Sequence, residues 1–182
     1  MTDHPPHTLS VLVENRPGVL ARIAGLFARR GFNIDSLAVG ETEHPEVSRM
    51  TIAVSADGKP VEQITKQLHK LINVLRIAEL PHDGAVEREL ALIKVGAGAE
   101  ARAEVIAIAE IFRAQILDVC PEALTIEATG TPDKVRALEE LLRPYRILEM
   151  ARTGRVALAR GGRGLKPAAV RPLSTTSMRS VS

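Results

Sequence analysis

The amino-acid sequence predicts an α+β protein built from two consecutive β-α-β-β-α-β units. Short apolar stretches typical of strands alternate with stretches in which apolar residues recur every three or four positions, as on one face of a helix. This order of elements occurs twice in 182 residues, a length that accommodates two small domains. Residues 23–27 (Ile-Ala-Gly-Leu-Phe) are faintly repeated at 108–112 (Ile-Ala-Glu-Ile-Phe). Each unit is expected to form a ferredoxin-like domain, a four-stranded antiparallel sheet with both helices on one face.

The first unit is predicted to span residues 8–81, after a flexible N-terminal segment at 1–7. Its first helix is the clearest element, because apolar residues follow helical spacing from Leu20 to Phe27. Gly31 is expected to end this helix, with two arginines in the last turn, where cations oppose the helix dipole. The strands are predicted at 8–13, 34–40, 48–55 and 74–80, and the helices at 17–30 and from 61 to 71.

Residues 82–86 are predicted as a linker and residues 87–160 as the second unit. Thr131 and Pro132 favour the start of a helix there, since a hydroxyl N-cap precedes proline in the first helical position. Each four-stranded sheet has an edge strand with unpaired backbone groups, so we expect two copies of the chain to pair as a homodimer. The strands are predicted at 90–95, 115–119, 124–128 and from 147 to 151, and the helices at 101–113 and 131–142. An extension of the last strand past Gly154 stays open.

Charge and composition exclude several classes of protein. The net charge is +2, but residues 160–182 hold five basic residues and no acidic one, so the preceding part carries −3. We therefore predict a basic, disordered tail at 161–182, and the aromatic content of 2% argues against a nucleic-acid surface. No apolar run approaches the ~20 residues of a membrane span, and the N-terminus does not have the pattern of a secretory signal. With Cys120 as its single cysteine, the chain is expected to be cytoplasmic, without membrane contact.

The turn from Asn15 to Leu20 has the composition of a binding site for a small anion. Asn15 ends the predicted strand, Pro17 suits a first helical turn, and Gly18 allows another group to approach the backbone. The helix that follows directs free N–H groups and a partial positive charge at the turn, which suits a carboxylate. No Lys-Ser or Lys-Thr pair follows the glycine, so the turn is not a nucleotide P-loop. It indicates a sensor of a small acid.

A second polar position follows the first helix. Asn33 begins the predicted second strand, and its amide can accept a hydrogen bond from an ammonium group or donate one to a carboxylate. The alternative, that Asn15 and Asn33 are only turn residues, stays open on the pattern alone.

No other motif provides catalytic chemistry. Residues 96–101 match the dinucleotide pattern Gly-x-Gly-x-x-Ala, with Asp118 near the ribose-binding position, and would alone support a small NAD-dependent enzyme. The segment after Asp118 has the pattern of a β-hairpin rather than a crossover helix, so we expect a flexible turn instead. The five histidines have no ligands at metal-binding spacing, and no nucleophile, base and orienting group stand out. We therefore predict no catalytic residue, metal ion or cofactor on this chain.

Several segments, in order along residues 8–161, carry a resemblance to a known family. They are 9–15 (Leu-Ser-Val-Leu-Val-Glu-Asn), 30–37 (Arg-Gly-Phe-Asn-Ile-Asp-Ser-Leu), 48–52, 66–71, 86–90, 111–119 and 151–154. With these residues the chain resembles the small regulatory subunits of acetolactate (acetohydroxyacid) synthase. The first unit resembles an ACT domain, a regulatory module that binds amino acids.

The resemblance implies a non-catalytic subunit. It would bind the catalytic large subunit, which carries thiamine diphosphate, Mg²⁺ and FAD, raise its activity and confer feedback inhibition by valine in branched-chain amino-acid biosynthesis. The implied site lies between two N-terminal ACT domains. The valine-binding residues that it implies are Asn15, Gly18, Val19 and Leu20 of one copy and Asn33 and Ile34 of the neighbouring copy.

A rival class is a free-standing tandem ACT protein that regulates another enzyme or gene expression, with the basic tail touching nucleic acid. The sequence also leaves the ligand open among valine, leucine and isoleucine, which differ by about one methylene. The stoichiometry with the large subunit, the activating surface and the role of the tail are open in the same way.

Overall fold

The first half of the chain forms the predicted β-α-β-β-α-β unit. The structure, a computed structural model, describes residues 6–55, 61–162 and 164–166. The elements of this half are β1 (His7–Glu14), α1 (Val19–Arg30), β2 (Asn33–Glu41), β3 (Val47–Ser55), α2 (Val61–Leu68) and β4 (Val74–Leu80). The strands form one antiparallel sheet in the order β2-β3-β1-β4, and residues of both helices share its core.

Helix α1 packs its apolar face on this sheet. Val19, Ile23 and Phe27 are buried against alternate residues of β1. The helix begins two residues later than predicted, because Gly18 has a φ of 82°, outside the helical region. Gly31 ends the helix in the left-handed conformation, as predicted.

Helix α2 is shorter than predicted. It ends at Leu68, and the N–H of Leu71 bonds to the Leu68 carbonyl oxygen at 3.0 Å. This tight turn keeps Leu71 against the core without extending the helix, so the apolar spacing continues past the helix end. His69, predicted on the helix, lies in the turn. Residues 57–60 (Asp-Gly-Lys-Pro), whose composition predicts a turn, are outside the described residues.

The second half repeats the arrangement and adds one strand. Its elements are β5 (Ala85–Gly96), α3 (Arg102–Ile111), β6 (Gln115–Cys120), β7 (Ala123–Gly130), α4 (Pro132–Leu142), β8 (Ile147–Arg152) and β9 (Val156–Ala159). The sheet order β6-β7-β5-β8 matches that of the first unit, which confirms the tandem ferredoxin-like fold class. The Thr131 hydroxyl accepts from the N–H of Lys134 at 3.4 Å and Pro132 starts α4, as predicted.

Strand β5 is longer than predicted, and the chain past Gly154, into which the last strand was allowed to extend, forms a separate strand that pairs with it. Strand β5 starts at Ala85, inside the predicted linker and five residues before the predicted strand. Its residues 85–88 pair with β9, while its later residues pair with β7 and β8. We call residues 85–88 and 156–159 the ribbon.

The ribbon covers the face of the first sheet opposite the helices. Ala157 packs with Leu80 and Ala85 in a small buried cluster. Thr8 and Ser10 lie on this face, since they alternate with the core residues of β1, and yet they are only 3% and 1% exposed. The two units are therefore packed against each other through the ribbon.

The chain crosses from β8 to β9 close to β2. The backbone N–H of Arg155 donates to Ser36 Oγ at 2.7 Å. A Cβ at Gly154 would overlap the carbonyl oxygen of Leu37, so this close approach requires glycine. Arg155 also reaches β1, where its Nη1 donates to Thr8 Oγ1 at 3.2 Å.

The ends of the described chain also make contacts. His7, in the segment predicted to be flexible, starts β1, and its Nδ1 lies 2.6 Å from Glu79 Oε1. Arg76 donates to the carbonyl oxygen of Lys166 at 3.5 Å. Residues 1–5 and 167–182 lie outside the described residues, so the flexible segment, the disordered tail and the domain limits stay predictions. Among the described residues, no helix is long and apolar enough to cross a membrane.

Candidate functional site

The turn at Gly18 leaves three backbone donors free at the start of α1. Within the described residues, the N–H groups of Gly18, Leu20 and Ala21 have no hydrogen-bond acceptor, whereas the N–H of Val19 lies 3.4 Å from the Arg16 carbonyl oxygen. Apart from Gly18 and its two neighbours along the chain, no atom of the described residues lies within 4 Å of the position that a Gly18 Cβ would take. An open helix N-terminus of this kind suits carboxylate oxygens.

Asn15 ties this turn to the loop between β2 and β3. Its backbone N–H donates to the Glu46 carbonyl oxygen at 2.8 Å. Its side-chain Nδ2 donates to Glu41 Oε1 at 3.1 Å and to the Pro45 carbonyl oxygen at 2.9 Å. Both partners are acceptors, which fixes the orientation of the amide. Within the described residues Oδ1 has no donor, so it is available to an ammonium group.

A buried carboxylate holds the base of the turn in place. Glu14, 8% exposed, accepts at Oε2 from Asn73 Nδ2 at 2.7 Å and lies 3.7 Å from Arg16 Nε. Arg22 of α1 donates to Asn73 Oδ1 at 2.9 Å, which extends the cluster to the helix. The sequence analysis missed these residues because Asn73 lies 59 positions after Glu14 and no local pattern connects them.

The two apolar residues of the turn have different surroundings. The Val19 side chain belongs to the core and is 4% exposed, so this residue offers a site only its backbone. Leu20 is 44% exposed beside the free N–H groups. An aliphatic ligand side chain would therefore meet Leu20.

The structure does not bring Asn33 and Ile34 to this turn within one chain. Asn33 pairs with Ser55 at the opposite end of the sheet, and the twelve residues of α1, about 18 Å at 1.5 Å per residue, separate the two places. Asn33 Nδ2 donates to Asp35 Oδ1 at 2.8 Å, which leaves its Oδ1 without a donor in the described part of the chain. Ile34 packs partly against the first core.

The corresponding turn of the second unit is closed by a side chain. The Ala97 N–H donates to the Glu122 carbonyl oxygen at 2.8 Å, as the Asn15 N–H does to Glu46. Arg102 then donates to the carbonyl oxygens of Ala97, Cys120 and Pro121, at 2.6 to 3.3 Å. A guanidinium here binds the turn to the β6–β7 hairpin. The hairpin follows Asp118 as predicted, which argues against a dinucleotide site.

The remaining titratable residues do not form a reactive group. Tyr145 donates to Glu104 Oε2 at 2.9 Å, and this hydrogen bond raises the pKa of Tyr145, so the phenol stays protonated at neutral pH. Over the ranges that the structure describes, no three His, Cys, Asp or Glu residues cluster as metal ligands would.

The fold and the open turn define a two-domain protein of the ACT class. Residues 9–76 match the family model for an AHAS small subunit-like ACT domain, and residues 88–161 match the model for the small subunit of acetolactate synthase. The chain belongs to the acetolactate synthase small-subunit family.

Individual relatives agree with this assignment over nearly their whole length. The chain is 60% identical to the acetolactate synthase small subunit of Mycolicibacterium smegmatis, covering 88% of this chain and 95% of that relative. It is 55% identical to the probable small subunit of Archaeoglobus fulgidus, covering 86% and 98%. The crystal structure of the Thermotoga maritima small subunit superposes with a TM-score of 0.81 at 46% identity, covering 87% and 99%.

Proposed function

We propose that this chain is a regulatory subunit that binds the catalytic subunit of acetolactate synthase, raises its activity and confers feedback inhibition by valine. The regulated reaction would be the decarboxylation of pyruvate and its condensation with pyruvate or 2-oxobutyrate. The observation that carries the valine site is the pair of complementary half-sites at opposite ends of α1. Each half-site has an amide oxygen without a donor in the described residues.

The free groups match the head group of an amino acid. In the proposed complex the valine carboxylate accepts from the N–H groups of Gly18, Leu20 and Ala21 at the positive end of α1. The ammonium group donates to Oδ1 of Asn15 and to Oδ1 of Asn33 from the neighbouring copy. Leu20 lies beside the isopropyl group.

A symmetric dimer would complete two such pockets. Strand β2 is at the edge of the first sheet, and Asn33 and Glu41 are equally distant from its central residue, Leu37. Antiparallel pairing of two copies about Leu37 therefore sets Asn33 of one copy opposite Glu41 of the other. Glu41 holds Asn15 at 3.1 Å, so Asn33 would arrive beside the other half-site.

The contact between the units offers a route from this pocket to the rest of the molecule. Ser36 lies three residues from Asn33 on β2 and accepts from the Arg155 N–H at 2.7 Å. Arg155 in turn lies 3.2 Å from Glu87 Oε2 in the ribbon. A ligand that favours one geometry of the paired β2 strands would thus bias the packing of the second unit. Couplings of about 1–3 kcal/mol are typical of such linkage.

In this function the catalytic partner would hold thiamine diphosphate, Mg²⁺ and FAD, and this chain would hold no cofactor. The chain would be located in the cytoplasm, in keeping with a biosynthetic family.

Reconstitution with the catalytic subunit tests the proposal directly. Acetolactate formation is measured for the catalytic subunit alone, with this chain, and with this chain plus valine. We expect this chain to raise the rate and valine to lower it again, with leucine and isoleucine as comparison ligands. A rate unchanged by this chain would contradict the proposal. Salt-dependent DNA binding, lost on removal of residues 160–182, would then favour the rival regulator of gene expression.

A further inference from the structure

A polar cleft lies between the two units. It has a volume of about 700 Å³ and is bordered by the ribbon, the start of α4 and the short turn before β5. None of the six predicted valine-site residues lines it. Its basic side chains are Arg88, Arg136, Arg155 and Arg160, and we call it the arginine cleft.

Two of the four arginines are matched by carboxylates of the same cleft. Arg155 Nη1 lies 3.2 Å from Glu87 Oε2, and Arg136 Nη1 lies 3.7 Å from Asp133 Oδ1. The other oxygen of Glu87 accepts from Thr8 Oγ1 at 2.9 Å, so both oxygens of this carboxylate already have partners. The Arg155–Glu87 pair is buried as two compensating charges, because a single uncompensated charge would be costly to bury.

The other two arginines have no carboxylate partner among the described residues. Arg88 Nη1 donates to the Glu87 carbonyl oxygen at 2.7 Å, and Arg160 Nε donates to the Ala85 carbonyl oxygen at 3.0 Å. Each guanidinium is thus anchored by the backbone, while its remaining N–H groups have no acceptor there. Three acidic residues line the cleft, Asp83, Glu87 and Asp133, and Asp83 alone has no ion-pair partner in the described chain. Four arginines against three carboxylates leave the cleft with an excess of positive charge.

Arg155 also has hydrogen-bonding capacity that the protein does not use. Its side chain is 11% exposed, and its Nε is buried without a hydrogen-bond acceptor in the described chain. The nearest carboxylate oxygen of Glu89 is 3.9 Å from Nε, too far for a hydrogen bond. A buried donor without an acceptor is costly and uncommon in folded proteins, so the Arg155 guanidinium is incompletely satisfied by the protein.

We propose that the arginine cleft binds a compact oxyanion, either inorganic phosphate or the phosphate group of a small phosphorylated metabolite. Several convergent guanidinium groups suit an anion with three or four oxygens and more than one negative charge. Thr131 and Pro132 at the start of α4 add the positive end of a helix to the same wall. The ligand would bridge the ribbon and α4, and so would stabilise the packing of the two units.

Titration calorimetry of the full-length chain with inorganic phosphate and, separately, with glycerol phosphate tests this site. At 0.15 M salt we expect a dissociation constant of about 1 mM or lower for at least one of them. Arg160→Gln and Arg88→Gln should each weaken binding about tenfold, since each removes one charged partner. Arg160→Lys keeps the charge and should weaken it less. Arg29→Gln, an exposed arginine on α1, is the matched control and should bind as the unaltered chain does.

Each outcome of the titration has a definite meaning. Tighter binding of glycerol phosphate identifies a phosphorylated metabolite as the ligand class, and equal or tighter binding of phosphate identifies the free anion. Circular dichroism of each variant separates loss of the site from loss of the fold. The proposal is overturned by no binding of either probe, by equal weakening in Arg29→Gln, or by binding of a DNA oligonucleotide but of neither small probe.

Discussion

At the residue scale, Gly18 shows why a small residue is needed at the start of α1. From the sequence we expected a Cβ at this position to crowd a carboxylate at the helix N-terminus. The structure adds a second reason, since Gly18 has a φ of 82°, which is strained for residues with a side chain. The position that its Cβ would take is not in contact with other parts of the described chain. The conformation and the free approach both favour glycine.

Replacing Gly18 by aspartate should abolish much of the valine response, because a carboxylate would face the ligand carboxylate. Gly18→Asn is the matched control, since asparagine has the same shape, tolerates a positive φ and adds no charge. We expect the valine concentration for half-inhibition of the reconstituted enzyme to rise about tenfold more for Gly18→Asp than for Gly18→Asn, which corresponds to about 1.4 kcal/mol. Equal effects of the two variants would argue against an anion at this position.

Asn33 should matter for valine but little for stability. It is exposed and its side chain hydrogen-bonds only to Asp35 in the described chain, so Asn33→Ala removes little from the free energy of unfolding, within about 0.5 kcal/mol. Loss of a hydrogen bond to an ammonium group, about 1.5–3 kcal/mol, should raise the half-inhibiting valine concentration by about tenfold or more. The measurements are thermal unfolding and inhibition of acetolactate formation. The variant leaves Asp35 and Ser36 unchanged. A large loss of stability would contradict the prediction and would assign Asn33 a structural role instead.

At the element scale, local signals predict most of the fold. The apolar spacing of α1, its end at Gly31 and the Thr131–Pro132 start of α4 depend on nearby residues, and the sequence carries them. Strand β9 has four residues and pairs with residues more than 65 positions earlier. The local pattern allowed a strand to extend past Gly154, but it could not show that this segment is a separate strand or which residues it pairs with. The ribbon that it forms is nevertheless what joins the two units.

The same distinction holds for the candidate site. The sequence predicts Asn15 and Gly18 as site residues because the patterns of a strand end and of a helix start meet around them. The cluster of Glu14, Asn73 and Arg22 forms only when β1, α1 and the start of β4 are packed together. The family resemblance already implies a second copy of the chain, and the separation of Asn15 and Asn33 by α1 within one copy is in keeping with it.

Gly154 should be sensitive to a single added methyl group. Gly154→Ala would overlap the Leu37 carbonyl oxygen and push β2 and the β8–β9 connection apart, so we expect a loss of about 1–3 kcal/mol in the free energy of unfolding. Gly98→Ala is the matched control, because no described atom beyond its own chain neighbours lies within 4 Å of its Cβ position. Urea unfolding measures both. A Gly154→Ala variant as stable as Gly98→Ala would contradict this contact.

At the scale of the whole molecule, Arg155 joins the two units. It contacts Ser36 and Thr8 of the first sheet and Glu87 of the ribbon. Arg155→Met leaves the buried Glu87 uncompensated, and we expect a loss of about 3–5 kcal/mol in the free energy of unfolding. Adding Glu87→Gln should recover part of this loss. Additive effects in urea unfolding of the two single variants and the double variant would show that the pair is not coupled.

The central claim is that valine binds between two copies of the chain, and mixed dimers test it most directly. Gly18→Asp and Asn33→Ala each damage both pockets of a dimer. A dimer with one copy of each variant has one pocket with both changes and one pocket with neither. We predict that co-refolding the two variants restores valine binding, measured by calorimetry, at about a quarter of the sites of the unaltered chain when mixing is random. Valine binding that does not recover on mixing, although exchange of the copies is verified by mass spectrometry, would contradict a shared pocket.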